Sequence, residues 1–361
     1  MKHALWITLG IRGNAGDALI YQVTRKLFAD SIDLQFRCVN DPVYVRADEA
    51  LPNNVVIGPG GILVQTNSAK HLHSKLKKQW DQLQNTHFFL WSTGILLEPT
   101  EDERVVMQRL FDHTSKVVVR ASREKANIMA IAKPTLDVSW APCASLFSDR
   151  LLDVEPSKRD VVVVNFDATL FNEDNVRDHP LLRFKDYAES EGLQVRSMVN
   201  ASGDSNRYLL DIFPLIDVDQ PYFGEILDQE LTGNPFFVAF SDALVAHPSL
   251  VSRYLNCRFA FGKRLHAWLP FMSFNTPAAF MGMEQRRGMP RDYFGSNEFL
   301  CRVPRGNLTQ EQLNEVSNQM IGKLNYFIKN EELLNRRIAE YRDALWVTLQ
   351  DKATEFAEAL L

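Results

Sequence analysis

Apolar runs of strand length recur along the chain at Ala4–Leu9, Val55–Ile57, Phe88–Ser92, Val117–Val119, Val161–Phe166 and Val195–Val199, with helical segments between them. Strands alternating with helices predict an α/β fold, with parallel sheets covered by helices on both faces. A polar stretch from Leu152 to Asp160, just before a fresh apolar strand, marks a change of domain. We therefore expect an N-terminal domain over 1–155, a second α/β domain over 156–308, and C-terminal helices over 309–361 that pack on the core or span the domains. In that last part Leu313, Val316, Met320 and Leu324 make an apolar stripe at three- and four-residue spacing, which is a packing face. No fixed-period repeat runs through the chain, so solenoids and propellers are excluded.

With 361 residues the chain exceeds one ordinary core, which agrees with two domains and a cleft between them. Hydrophobic residues make up 45% and charged residues 24%, a globular balance without low-complexity tracts. A formal net charge of -5 argues against a sequence-independent nucleic-acid binder, so any anion site must be local. Cys38, Cys143, Cys257 and Cys301 lie far apart with no metal-ligand spacing, and read as buried free thiols of a reducing compartment. His71 and His73 fall two apart in a lysine-rich helix, on different faces, and do not read as a metal pair. Met1–Gly10 runs straight into a strand without the pattern of a signal peptide. Ala267–Met283 is interrupted by Pro270, Asn275 and Pro277 and falls short of the ~20 apolar residues of a membrane span. The expectation is a cytoplasmic protein without a transmembrane segment, with peripheral attachment to the inner membrane face left open.

Four segments carry candidate chemistry. Gly10-Ile11-Arg12-Gly13-Asn14-Ala15-Gly16-Asp17 links a strand to an amphipathic helix; such a turn lets backbone amides meet an anion, and equally reads as a tight turn with Asp17 as a helix cap. Val55-Val56-Ile57-Gly58-Pro59-Gly60-Gly61 is a strand ending in glycines, and ligands of open α/β sheets gather at such carboxyl ends. Val117–Val119 ends in Arg120, with Arg123 after it, and a guanidinium there can fork onto a carboxylate or phosphate. Phe259-Ala260-Phe261-Gly262-Lys263-Arg264-Leu265-His266 is the strongest: one strand end supplies an anion binder, Arg264, and a group that titrates near neutrality, His266. Downstream, Arg286 and Arg287 either close over a phosphate or are ordinary solvated charges.

In this order the segments resemble the polysaccharide pyruvyl transferase family. Its opening motif is matched by Asn14, Gly16 and Asp17, its glycine-rich strand end by Gly58-Pro59-Gly60-Gly61, a further glycine-bearing strand end by Trp91-Ser92-Thr93-Gly94-Ile95, and its arginine-leucine-histidine motif by Arg264-Leu265-His266. The matches span Trp6 to Gly295; the chain departs from the family at Ala121, where an aspartate is usual, and around Pro142-Cys143-Ala144. The resemblance implies two Rossmann-like domains facing across a cleft, similar to glycosyltransferases of the B type. It implies phosphoenolpyruvate as co-substrate, with no cofactor and no metal, and a sugar, oligosaccharide or lipid-linked glycan as acceptor in surface or exopolysaccharide biosynthesis.

On that basis Arg120, Arg264 and Arg286 or Arg287 are the candidate cations for the donor, with Leu265, Asn14, Gly16, Gly60 and Gly61 lining its site. His266 is the candidate proton donor, and Asp17 the candidate base or orienting group. A nucleotide-sugar glycosyltransferase of B-type fold is the rival enzyme. A catalytically inactive glycan-binding relative is the rival of another class. The acceptor sugar and the oligomeric state stay open.

Overall fold

The computed structural model describes residues 2–8, 15–38, 53–61, 63–64, 67–95, 97–152, 154, 157, 159–167, 170–200, 204, 206–216, 248–282, 288–304 and 307–360. The chain forms two compact units: Met1–Gly10, Ile20–Ala144 and Ala344–Leu361 make the first, and Ile11–Leu19 with Ser145–Asp343 make the second.

Among the described residues the first unit holds six strands: β1 (Lys2–Thr8), β2 (Ile32–Cys38), β3 (Asn54–Ile57), β4 (His87–Trp91), β5 (Thr114–Val119) and β6 (Asp137–Trp140). They lie in the order β2-β1-β3-β4-β5-β6, and every pairing is parallel. The helices between them are α1 (Ala15–Phe28), α2 (Asn67–Gln79), α3 (Glu101–Asp112) and α4 (Ser122–Met129). Alternate side chains of a strand point to opposite faces, and both faces are covered. Leu5, Ile7, Val55, Ile57, Phe88, Leu90, Val117 and Val119 pack with Leu72 and Leu76 of α2 and with Val106, Leu110 and Phe111 of α3. Trp91, on the opposite face, meets Phe28 at 4.8 Å and Phe356 at 5.0 Å between ring centroids.

The second unit holds β7 (Val161–Asn165), β8 (Gln194–Ser197), β9 (Phe259–Gly262) and β10 (Ala278–Phe280), in the order β10-β9-β7-β8 and again all parallel. Short helices α5 (Ser148–Leu152), α6 (Leu182–Ser190), α7 (Arg207–Ile212), α8 (Pro248–Leu255), α9 (Leu269–Ser273) and α10 (Met289–Phe294) surround it, followed by α11 (Gln310–Lys329) and α12 (Glu331–Ala359). The stripe expected on α11 is its buried face: Leu313, Val316, Met320 and Leu324 are all inside. Phe327 of the same helix stacks on Phe259 of β9 at 6.1 Å. Thr309 caps α11 in a reciprocal box with Gln312, which fixes where the helix starts.

The α/β class with parallel sheets is thus as the sequence suggests. The division between the units falls at Ala144/Ser145, ahead of the polar stretch read as the boundary. The cause is α5, which is anchored in the second unit: the buried Arg342 donates to the Leu146 carbonyl at 3.2 Å and to Asn275 Oδ1 at 2.7 Å, and pairs with Asp149. The C-terminal helices are divided between the two units. α11 belongs to the second unit, and from Ala344 onward α12 belongs to the first, where Phe356 joins Phe28, Phe89 and Trp91. No helix among the described residues is long and apolar enough to cross a membrane.

Candidate functional site

The residues with the most chemistry gather at the carboxyl end of β9 in the second unit. The strand ends at Gly262, and the chain turns at once through a single 3-10 turn, Leu265–Ala267. A Cβ on Gly262 would lie 1.8 Å from the Ala267 carbonyl oxygen, so only glycine lets the turn fold this tightly against the strand. Two anchors hold the turn from inside. Leu265 is 2% exposed, and Trp268 donates from Nε1 to the Ala278 carbonyl at 2.9 Å while stacking on Phe280. Leu265, expected to line the donor site, is therefore a core residue that fixes its neighbours on either side.

Arg264 and His266 consequently leave the turn together. The Arg264 side chain is 43% exposed, and its Nε–H lies 2.7 and 2.8 Å from the two carboxylate oxygens of Asp204, with Nη2 at 2.5 Å from Oδ1. Burial alone would lower the guanidinium pKa; the hydrogen bond and charge of Asp204, with Asp17 and Asp167 nearby, raise it instead. His266 is mostly enclosed, its carbonyl accepts from the Tyr254 hydroxyl at 2.7 Å, and its Nδ1 stands 3.7 Å from Asp17 Oδ1. That distance is within ion-pair range and outside a direct hydrogen bond. Asp17 lies in the first turn of α1, after the buried Gly16, and its carboxylate faces the imidazole.

Sequence reasoning did not single out the residues behind this pair. Asp204 is only 5% exposed at its side chain. Asn165, the last residue of β7, donates from Nδ2 to Asp204 Oδ2 at 3.0 Å and to the Met198 carbonyl at 3.0 Å, and accepts the Arg264 N–H at 3.3 Å. Lys263 pairs with Asp167, adding a second cation to the turn. An asparagine closing an otherwise all-valine strand was the one available signal: an amide on the ligand-facing edge of a parallel sheet has no packing reason to be there.

The other candidates fare differently. Arg120, expected to reach a donor, is 2% exposed and is held by Glu124, which is itself fully buried: Nε meets Oε1 at 3.2 Å and the Arg120 N–H donates to Oε2 at 3.2 Å. Its charge is spent inside the first unit, in a buried i,i+4 ion pair, so it does not present itself to a ligand. Gly60 uses its amide on the Ser92 carbonyl at 3.1 Å and its carbonyl on the Thr93 hydroxyl at 2.7 Å, extending the contact of β3 with β4 instead of cradling an anion. Its φ of 118° is the reason a glycine stands there. Gly61 follows it, partly exposed. Arg123, beyond the buried pair, is exposed and borders a cavity of about 260 Å³ with Ile95, Arg104 and Asn127. Asn14, Arg286 and Arg287 lie outside the described residues. Among the described residues no group of three or more acidic, histidine or cysteine side chains is placed to hold a metal ion, and Cys143, Cys257 and Cys301 are buried free thiols.

No protein-family model and no curated protein matches the chain. Among solved structures it is similar to a functionally uncharacterized protein of Klebsiella pneumoniae subsp. pneumoniae, at 11% identity and TM-score 0.48, covering 84% of this chain and 93% of that one. It is likewise similar to S. aureus MnaA in complex with UDP, at 9% identity and TM-score 0.48 over 94% and 91% of the two chains. A UDP-glucosyltransferase from Polygonum tinctorium matches at 9% identity and TM-score 0.48 over 100% and 99%. Identities this low carry no chemistry across.

Proposed function

We propose that this chain is a transferase whose donor is a small phosphate-bearing anion bound at the turn after β9, and that the donor is phosphoenolpyruvate, transferred as a pyruvate ketal to a sugar. The observation that carries the reading is the delivery of Arg264 and His266 from one glycine-tightened turn, with Asp17 facing the imidazole. An anion needs a fixed cation, and the leaving of phosphate or the protonation of a carbon needs a group that titrates near neutral pH. The ordered motifs from Asn14 to His266 support phosphoenolpyruvate as the donor.

In this reading Arg264 holds the carboxylate or phosphate. His266, with Asp17 to orient it, gives its proton to the methylene carbon of the donor; a sugar hydroxyl adds to the adjacent carbon and returns its proton to His266; phosphate departs as the second hydroxyl closes the ketal, and carries away that hydroxyl's proton. Arg120 has no part in it, being consumed by Glu124.

The same cationic turn suits the diphosphate of a nucleotide sugar, and a nucleotide-sugar glycosyltransferase is the second reading. Thermal shift separates the two: stabilisation by phosphoenolpyruvate and not by UDP-glucose or UDP-N-acetylglucosamine supports the first, and the reverse supports the second. Incubation with phosphoenolpyruvate and galactose, mannose and glucuronate acceptors, read by the mass of a pyruvate ketal, tests turnover. His266→Gln abolishes it with the fold intact; near-normal turnover in that variant refutes the assignment.

A further inference from the structure

We infer that Asp204, at the carboxyl side of β8, is a positioning residue that locks the Arg264 guanidinium for anion binding, with Asn165 as its support; the identity of the anion rests on the reading just given. Arg264 is a long, partly exposed side chain on a buried turn, and such a side chain keeps many rotamers unless something holds it. Asp204 removes that freedom in one step. It accepts Nε–H on both oxygens, at 2.7 and 2.8 Å, and Nη2 on Oδ1 at 2.5 Å, which fixes the plane of the guanidinium as well as its place. The side chain remains 43% exposed, so this pairing does not close the guanidinium off from a ligand.

Asp204 is itself held from behind. Its Oδ2 accepts from Asn165 Nδ2 at 3.0 Å and from the Asn200 backbone N–H at 3.1 Å. Asn165 ties the same carboxylate to the Met198 carbonyl and to the backbone N–H of Arg264, so two strand ends and the turn are joined through one amide. Every one of these contacts to Asp204 is a donor. Only an acceptor-only group satisfies all of them at once. An amide in its place puts an N–H₂ either against Arg264 or against the Asn165 and Asn200 donors, whichever way it turns. Asp204→Asn is thus a near-isosteric change that breaks the lock and leaves the volume alone.

The test uses the full chain with nitrogen-labelled arginine. The Nε–H resonance of Arg264, assigned by its loss in Arg264→Lys, exchanges slowly with water in the parent. In Asp204→Asn its exchange accelerates on the order of tenfold or more, as expected when a part-buried charge-assisted bond is lost. Asn165→Ala, which keeps the direct Asp204 contacts, accelerates it severalfold; it decides the matter if Asp204→Asn does not fold. Unchanged exchange in the folded variants overturns the inference. Phosphoenolpyruvate titration is run alongside, and Asp204→Asn weakens binding about tenfold through the lost pre-organisation. If exchange responds and the parent does not bind phosphoenolpyruvate, the donor reading falls and the positioning role stands. If the parent and Asp204→Asn bind equally and exchange is unchanged, the positioning role falls and the donor reading stands.

Discussion

Removing the carboxylate of Glu124 isolates the clearest charge in the first unit. In Glu124→Ala, the Arg120 guanidinium stays 2% exposed without the partner that sits 3.2 Å from its Nε, and the Arg120 backbone N–H loses its acceptor as well. Taking one partner from a buried ion pair costs about 3–5 kcal/mol. Replacing both charges with leucine, in Arg120→Leu with Glu124→Leu, removes the desolvation penalty together with the attraction, so the double variant falls well short of the two single losses added together. Urea unfolding followed by tryptophan fluorescence reads this, since Trp6, Trp91 and Trp140 all lie in strands of the same sheet. A loss below about 1 kcal/mol for Glu124→Ala, the range of an exposed pair, refutes the burial of Arg120 and returns it to the list of groups able to meet a ligand.

Other consequences are measurable in the same way. Gly262→Ala sets a methyl 1.8 Å from the Ala267 carbonyl, a backbone atom that cannot swing aside, and costs about 1–3 kcal/mol or more by overpacking; thermal melting together with phosphoenolpyruvate binding reads both the loss and the displaced turn. Leu324→Ala, in the fully buried stripe of α11, costs about 2–5 kcal/mol in urea unfolding. Burial lowers the pKa of His179, against the opposing pull of the Leu170 carbonyl, and burial likewise lowers that of His73. A folded-state pKa below the unfolded one means that the unfolded chain takes up protons first. Stability is therefore unaffected above pH ~6.5 and falls as pH drops from ~6.5 towards the folded pKa values. Unfolding at pH 7.5 and 5.0 checks this, and His179→Asn reduces the difference.

Most of the strands legible in the sequence are buried on both sides; the exception is β8, an edge strand read from Val195–Val199. β3, β4 and β7 are apolar along nearly their whole length, and β1 and β5 along their later parts, because helices cover both faces. β2 and β6 run along the two edges of the first sheet, and their sequences, Ile-Asp-Leu-Gln-Phe-Arg-Cys and Asp-Val-Ser-Trp, mix polar and apolar residues in a way that looks like loop. At the site, Arg264 and His266 were readable because glycine, arginine and histidine crowd one strand end. Asp204 was not, because it sits in the polar run Asn200-Ala201-Ser202-Gly203-Asp204 and acts only through a contact made across the fold. Arg120 was misjudged for a related reason. A guanidinium at a strand end looks the same in sequence whether it meets solvent or a buried carboxylate four residues on, although that i,i+4 spacing to Glu124 was visible.

In the first unit the sheet face that carries Phe89 and Trp91 is covered by Phe28 of α1 and, from the far end of the chain, by Phe356 of α12. A nascent chain leaving the ribosome can therefore complete its second unit while the aromatic face of the first still lacks Phe356, which the last turns of α12 supply. A fragment ending before Ala344 would carry that greasy surface permanently, and would be expected to clump where the full polypeptide stays dispersed.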